Sequence, residues 1–192
     1  MTRLLVATTN AGKQAEFRRL LADLPAELVT PGEIGLQLEV EEPYDTYAEN
    51  AIAKADAYAR ASGLLSVADD SGIEVAALDW GPGVRSARWG EGRHADRVLE
   101  AVGDASDRRA RMVCALAVAR PGAPVEVFDG VVTGSIAGER RGTGGFGYDP
   151  IFLLPGGVTT AELPQAEKDR ISHRGQAVAA ATPRLLELLG RG

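Results

Sequence analysis

The chain has 192 residues, 45% of them hydrophobic, and a formal charge of −6, so it can bury a sizeable core as a single domain over 1–192. No run of Lys and Arg forms a stripe able to neutralise a polymeric phosphate backbone, which argues against a nucleic-acid partner. The one cysteine, Cys114, rules out an intramolecular disulfide, and neither a signal-peptide core nor a run of transmembrane length is present, so a cytoplasmic protein with no membrane partner is expected.

Leu4 to Thr8 is a short apolar run ending in small polar residues, as in a buried strand that delivers a loop to a sheet edge. Phe17, Leu20, Leu21 and Leu24 recur at helical spacing, so Gln14 to Leu24 is expected to form an amphipathic helix stopped by Pro25. Thr46 and Glu49 form a capping box ahead of an alanine-rich helix that runs to about Ala61 and ends at Gly63. The next strand, Leu64 to Ala68, runs straight into Asp69, Asp70, Ser71 and Gly72, a carboxylate pair followed by turn residues. Gly81-Pro82-Gly83 marks a loop, and His94 to Val102 suits a short helix. Arg111 to Ala119 and Val125 to Thr133 are β-rich and flank Pro121 to Pro124, which predicts a hairpin with a longer connection. A glycine-dense segment, Gly142 to Pro150, precedes the apolar run Ile151 to Leu154. The last helix is expected over Gly175 to Leu189, bent or divided at Pro183. Helices alternating with strands, then a hairpin, imply an α/β fold on a mixed sheet.

Two segments imitate nucleotide motifs without satisfying them. Ala7 to Gln14 approaches a P-loop through Gly12-Lys13, but Ala7 stands where the leading glycine belongs and Gln14 where the hydroxyl residue belongs. A strand-to-helix turn nevertheless offers free amides and the positive end of a helix dipole, with Lys13 as a mobile cation, which suits polyphosphate. Gly142 to Gly147 satisfies the dinucleotide fingerprint in letters, yet Tyr148-Asp149-Pro150 follows where a helix must open. That leaves a glycine loop a ligand can approach closely, with Phe146 and Tyr148 as stacking surfaces or as core aromatics of a tight turn.

The acids Glu39, Glu41, Glu42, Glu49, Asp69 and Asp70 lie close together in sequence. They could converge on one Mg²⁺, which needs only one or two carboxylates beside the substrate's phosphates, or they could be solvated loop acids. In a strand, Ser66, Ala68 and Asp70 share one face while Leu65, Val67 and Asp69 share the other. Asp70, on the less apolar face, is the better candidate. Asn50 and Lys54 share a helix face beside Glu49, as a site or as a solvated surface. Lys168, His173 and Arg174 form a positive cluster suited to phosphate or base edges. With two histidines far apart in sequence, neither a His metal site nor a Ser-His-Asp triad has strong support.

Taken together, ATTNAGK (Ala7 to Lys13), TYAENAIAKA (Thr46 to Ala55), ADDSG (Ala68 to Gly72), PGVRSAR (Pro82 to Arg88), GTGGFGYDP (Gly142 to Pro150) and EKDRISHR (Glu167 to Arg174) closely resemble the inosine triphosphate pyrophosphatase family, in the family's order. The resemblance implies an elongated two-lobed α/β fold with its cleft between the lobes, a homodimer, and Mg²⁺-dependent hydrolysis of ITP, dITP or XTP to the monophosphate and pyrophosphate. It implies triphosphate binding by Thr8, Thr9, Asn10, Ala11, Gly12 and Lys13, with Asp70 as catalytic base and metal contact and Ser71 at the substrate. Phe146, Gly147, Tyr148 and Asp149 would hold base and sugar, Phe146 by stacking, and Lys168, His173 and Arg174 would complete base and phosphate recognition. The second metal acid is Glu42 or Glu41. Both stay open, because Tyr44-Asp45-Thr46-Tyr47 stands where the family often has Gly-x-Thr-Phe after this glutamate. Other readings are a pyrophosphatase for other modified nucleotides and a nucleotide-binding module without turnover.

Overall fold

A computed structural model describes residues 2–90 and 92–190. In chain order the elements are β1 (Arg3–Val6), α1 (Ala11–Leu20), β2 (Glu27–Val29), α2 (Tyr47–Ser62), β3 (Leu65–Val75), β4 (Gly81–Pro82), α3 (His94–Val102), β5 (Arg109–Ala119), β6 (Glu126–Ile136), β7 (Phe152–Leu153), α4 (Gln165–Ile171) and α5 (His173–Leu189). The described strands form one sheet in the order β2-β1-β3-β5-β6-β7, with β4 on β3. β1 runs parallel to both β2 and β3, whereas β4 lies antiparallel on β3 and β7 antiparallel on β6. The sheet is therefore mixed, as expected.

The chain divides into two compact units. The first holds the chain up to Asp70, Cys114–Gly130 and the segment from Arg174 onward; the second holds Ser71–Val113 and Val131–His173. Strand alternation builds the first unit's core in two layers. Leu4, Val6, Val67, Cys114, Leu116 and Val118 pack with Phe17 of α1 and with Ala177, Val178, Ala181 and Leu185 of α5. Leu5, Ala7, Ala68, Ala115, Ala117 and Ala119 point the other way and pack with Ala51, Ala55, Tyr58 and Ala59 of α2. Small alanines on that face let the helix approach closely. In the second unit, Ile73, Val75, Met112, Ile136 and Phe152 pack with Ala95, Val98 and Val102 of α3.

Several boundaries differ from the sequence reading. α1 opens at Ala11 rather than Gln14, because the Asn10 side chain caps it by accepting from the Lys13 backbone N–H. It closes at Leu20, ahead of Leu24. β3 does not stop at Ala68: the Asp-Asp-Ser-Gly stretch stays extended to Val75, and Glu74 and Val75 pair with Pro82 and Gly81. Sheet pairing overrides turn chemistry there. α5 begins at His173 and continues through Pro183 as one helix. The strand β2 and the helix α4 carried no signal long enough to find. Among the described residues no helix is long and apolar enough to cross a membrane.

Candidate functional site

In the first unit the two faces of β3 separate the aspartates. Asp69, fully buried, turns to the α1 and α5 face, where its Oδ2 lies 3.0 Å from Lys13 Nζ. The same oxygen accepts from Arg174 Nε at 3.1 Å and Nη2 at 2.9 Å. Arg174 is itself buried, and its Nη1 donates to the buried carboxylate of Glu16. Burial pushes the Asp69 carboxyl up, but Arg174 and Lys13 outweigh it and hold it well below the usual carboxylate range. Cys114 lies on this side too; burial pushes its thiol up, as does the Asp69 charge, so it stays protonated and inert.

Asp70 turns to α2. Its Oδ2 accepts from Asn50 Nδ2 at 3.0 Å, and Asn50, also buried, makes two further bonds with the Tyr44 backbone, accepting from its N–H and donating to its carbonyl. The Thr46 cap fixes where α2 starts, accepting from the Glu49 N–H at 3.2 Å, and so sets Asn50 and, one turn on, Lys54. Lys54 Nζ donates to Glu42. Burial raises the Asp70 carboxyl above its ordinary value; Asn50, Lys54 and Lys13 oppose that rise, and the Glu42 charge adds to it. Glu42 is thus the glutamate whose field Asp70 feels, while Glu41 is exposed. Among the described residues no three His, Cys, Asp or Glu side chains gather to hold a metal. Two oxygen donors whose like charges oppose each other fit a hard cation that draws its remaining ligands from phosphate and water, as Mg²⁺ does.

The turn at Thr8 to Lys13 is ordered by its own side chains: Thr8 Oγ1 accepts from Asn10 N at 3.2 Å, and Gln14 Nε2 donates to the Thr8 carbonyl at 2.8 Å. Thr9, Asn10 and Ala11 are exposed, and Gly12 and Lys13 half-buried. The start of α1 is therefore open to an anion.

The second unit holds the other group. Phe146 and Tyr148 are half-buried and Gly147 is exposed. The Tyr148 hydroxyl donates to the Ser86 carbonyl at 2.8 Å. Asp149 is buried, and its Oδ2 accepts from the Phe146 N–H at 2.7 Å and from Lys168 Nζ at 2.6 Å. Lys168, also buried, sits 5.4 Å from the Phe146 ring centroid. Ser71 follows Asp70 along β3, and His173, half-buried, opens α5.

The sequence model of the Ham1 family matches residues 4–184. The chain belongs to the Ham1 family. It is 46% identical to a protein of Streptomyces coelicolor across 99% of this chain and 100% of that one, and 46% identical to one of Nitrosomonas europaea across 98% and 95%. Both relatives are named dITP/XTP pyrophosphatase. Among solved structures, a HAM1 protein from Coxiella burnetii superposes with a TM-score of 0.83 at 39% identity, each chain covered completely. The nucleoside-triphosphatase, or dITP/XTP pyrophosphatase, of Mycobacterium abscessus superposes at 0.73 with 41% identity, covering 95% of this chain and 100% of that one. The family resemblance read from the motifs therefore holds over the whole Ham1 length.

Two residues beside the expected Ham1 site were legible only as spacing: Asn50 and Lys54, four apart, with solvation the alternative. Glu16 carried no signal, since an acid inside an amphipathic helix reads as surface until its partner, 158 positions away, is known.

Proposed function

We propose that the protein hydrolyses deaminated purine nucleoside triphosphates (ITP, dITP and XTP) to the monophosphate and pyrophosphate with Mg²⁺, clearing them from the nucleotide pool. What carries this reading is the full-length likeness to relatives named dITP/XTP pyrophosphatase, together with a buried, amide-anchored Asp70 that feels the charge of Glu42. Asp70 and Glu42 would hold Mg²⁺, which when bound supplies neutralisation of the phosphate oxygens. The amides of Ala11 and Gly12, at the open start of α1, and the Lys13 ammonium bind the departing pyrophosphate. Asp70 takes the proton of the attacking water on its carboxylate, oriented by the Asn50 amide, as the water oxygen bonds the α-phosphorus and the bond to the bridging oxygen breaks. A carboxyl raised by burial is a better base near neutral pH than an exposed one.

The base and sugar fall to Ser71, Phe146, Gly147 and Tyr148, with Phe146 stacking on the purine and Asp149 in the same loop. Lys168, His173 and Arg174 complete recognition, Arg174 from a buried position. Donors aimed at a 6-oxo group meet the 6-amino group of ATP donor to donor, leaving buried polar groups unpaired. The resemblance makes a cytoplasmic homodimer part of this reading. The test is pyrophosphate release across a nucleotide panel with and without Mg²⁺. ITP, dITP and XTP should far outpace ATP and GTP, and orthophosphate as the product would refute the reaction.

A further inference from the structure

The geometry points to Asp149 as a positioning residue for base recognition: its buried carboxylate fastens the glycine loop and the Lys168 ammonium together as a preformed platform, and does not itself touch the nucleotide. This rests on the proposed nucleotide reading and adds to it the role of a residue otherwise expected to hold base or sugar directly. Asp149 is 4% exposed. Its Oδ2 takes the Phe146 N–H and the Lys168 ammonium, and its Oδ1 takes the Thr160 hydroxyl at 2.9 Å. A carboxylate has about four acceptor positions, and three are engaged within the protein, one of them by a full positive charge.

The glycine loop needs such an anchor. Gly142, Gly145 and Gly147 lie at φ +79, +69 and +62, a backbone with little intrinsic preference to stay put. Gly145 approaches so closely that a Cβ there would stand 2.0 Å from Asp149 Oδ2. One carboxylate thus sets both the backbone that carries Phe146 and the cation 5.4 Å from its ring. Fixing loop and cation before the ligand arrives removes an ordering cost from binding.

The test compares the wild type with Asp149→Asn, Asp149→Ala and Lys168→Met. Three quantities are measured: affinity for inosine monophosphate and its 2′,3′-dideoxy analogue, affinity for pyrophosphate in Mg²⁺, and hydrogen exchange of the Phe146 amide without ligand. Losing charge-assisted hydrogen bonds of this kind should weaken both monophosphates about 10- to 100-fold in Asp149→Ala, and equally, with pyrophosphate unchanged. The Phe146 amide should exchange faster in Asp149→Ala. Asp149→Asn, which keeps the shape and one acceptor, should restore part of the protection and serves should Asp149→Ala not fold. Lys168→Met should weaken the monophosphates while leaving the Phe146 amide protected. A loss confined to inosine monophosphate and absent with the dideoxy analogue would make Asp149 a direct sugar ligand and overturn the proposal, as would unchanged exchange at Phe146. Wild-type protein that binds neither monophosphate refutes the nucleotide reading itself, a result obtained without any substitution, and removes the base-recognition role with it.

Discussion

Asp69 and Asp70 are consecutive in β3, yet their carboxylates serve opposite faces: Asp69 meets Lys13 and Arg174, and Asp70 meets Asn50. The strand's alternation, with Val67 in one core layer and Ala68 in the other, dictates this split. The two substitutions should therefore fail in different ways. Asp70→Asn should cut turnover by about 10²- to 10⁴-fold while folding at least as stably as the wild type at neutral pH, because burial disfavours the Asp70 charge it removes. Asp69→Ala should lose about 3–5 kcal/mol of stability, since it leaves a buried Arg174 short of a partner. Steady-state kinetics and urea denaturation of both variants decide the matter, and an Asp69→Ala protein as stable as the wild type contradicts it.

Asn50 should set the acid limb of the pH profile. Asp70 acts as a base only when ionised, and its carboxyl is raised by burial, with the Asn50 hydrogen bond the largest influence holding it down. Asn50→Ala removes that influence, so the acid limb of kcat/KM at saturating Mg²⁺ should move to higher pH. Lys54→Met removes a cation that also lowers Asp70 and should move the limb in the same direction. A limb that stays put or moves down in both variants would detach Asp70 from the proton transfer.

Local rules carried far. Thr46 does cap α2, accepting from the Glu49 N–H, while the Glu49 carboxylate takes the Thr46 hydroxyl, and Gly63 ends the helix in the left-handed region at φ 72. The face assignment of Asp69 and Asp70 followed from period two alone. What stayed hidden was long-range or short-lived. No local pattern joins Glu16 to Arg174, which meet across 158 positions. Turn-forming Ser71 and Gly72 concealed that β3 runs on to Val75, because the pairing that keeps it extended lies further down the chain, at Gly81 and Pro82. The neighbourhood of Glu42 depended on Lys54, whose helix face was legible but whose partner was not.

Tyr148 should respond to alkali. Burial pushes its phenol up to about 12, against an ordinary 10.0, with the Ser86 side chain opposing the rise only in part. The folded protein thus keeps the neutral phenol where the unfolded chain would release its proton. The sign is fixed by that difference: Tyr148's contribution to stability is complete below the unfolded value of 10.0 and is lost as pH rises toward about 12. Tyr148→Phe removes this titration, so its stability should fall less steeply than the wild type's over that interval. Denaturation midpoints against pH for the two proteins, with an ultraviolet difference titration to locate the phenol, provide the check. Parallel curves would show that Tyr148 ionises alike in both states.

Gly145→Ala should act on base recognition, through two separate strains. A residue at φ +69 with a Cβ sits in the left-handed region at a cost of about 1–2 kcal/mol, and the new methyl would meet Asp149 Oδ2 at 2.0 Å. Relief requires the loop or the carboxylate to move, and either motion pulls the Phe146 amide from the acceptor it holds at 2.7 Å. Because the turn at Asn10 to Lys13 belongs to the other unit, pyrophosphate affinity should persist while KM for ITP rises more than kcat falls. Gly147→Ala offers the control: its φ of +62 carries similar backbone strain, but nothing lies within 4 Å of its added Cβ. If the two alanine variants raise KM equally, backbone strain alone explains the effect; if only Gly145→Ala does so strongly, the close approach to Asp149 is what the loop requires.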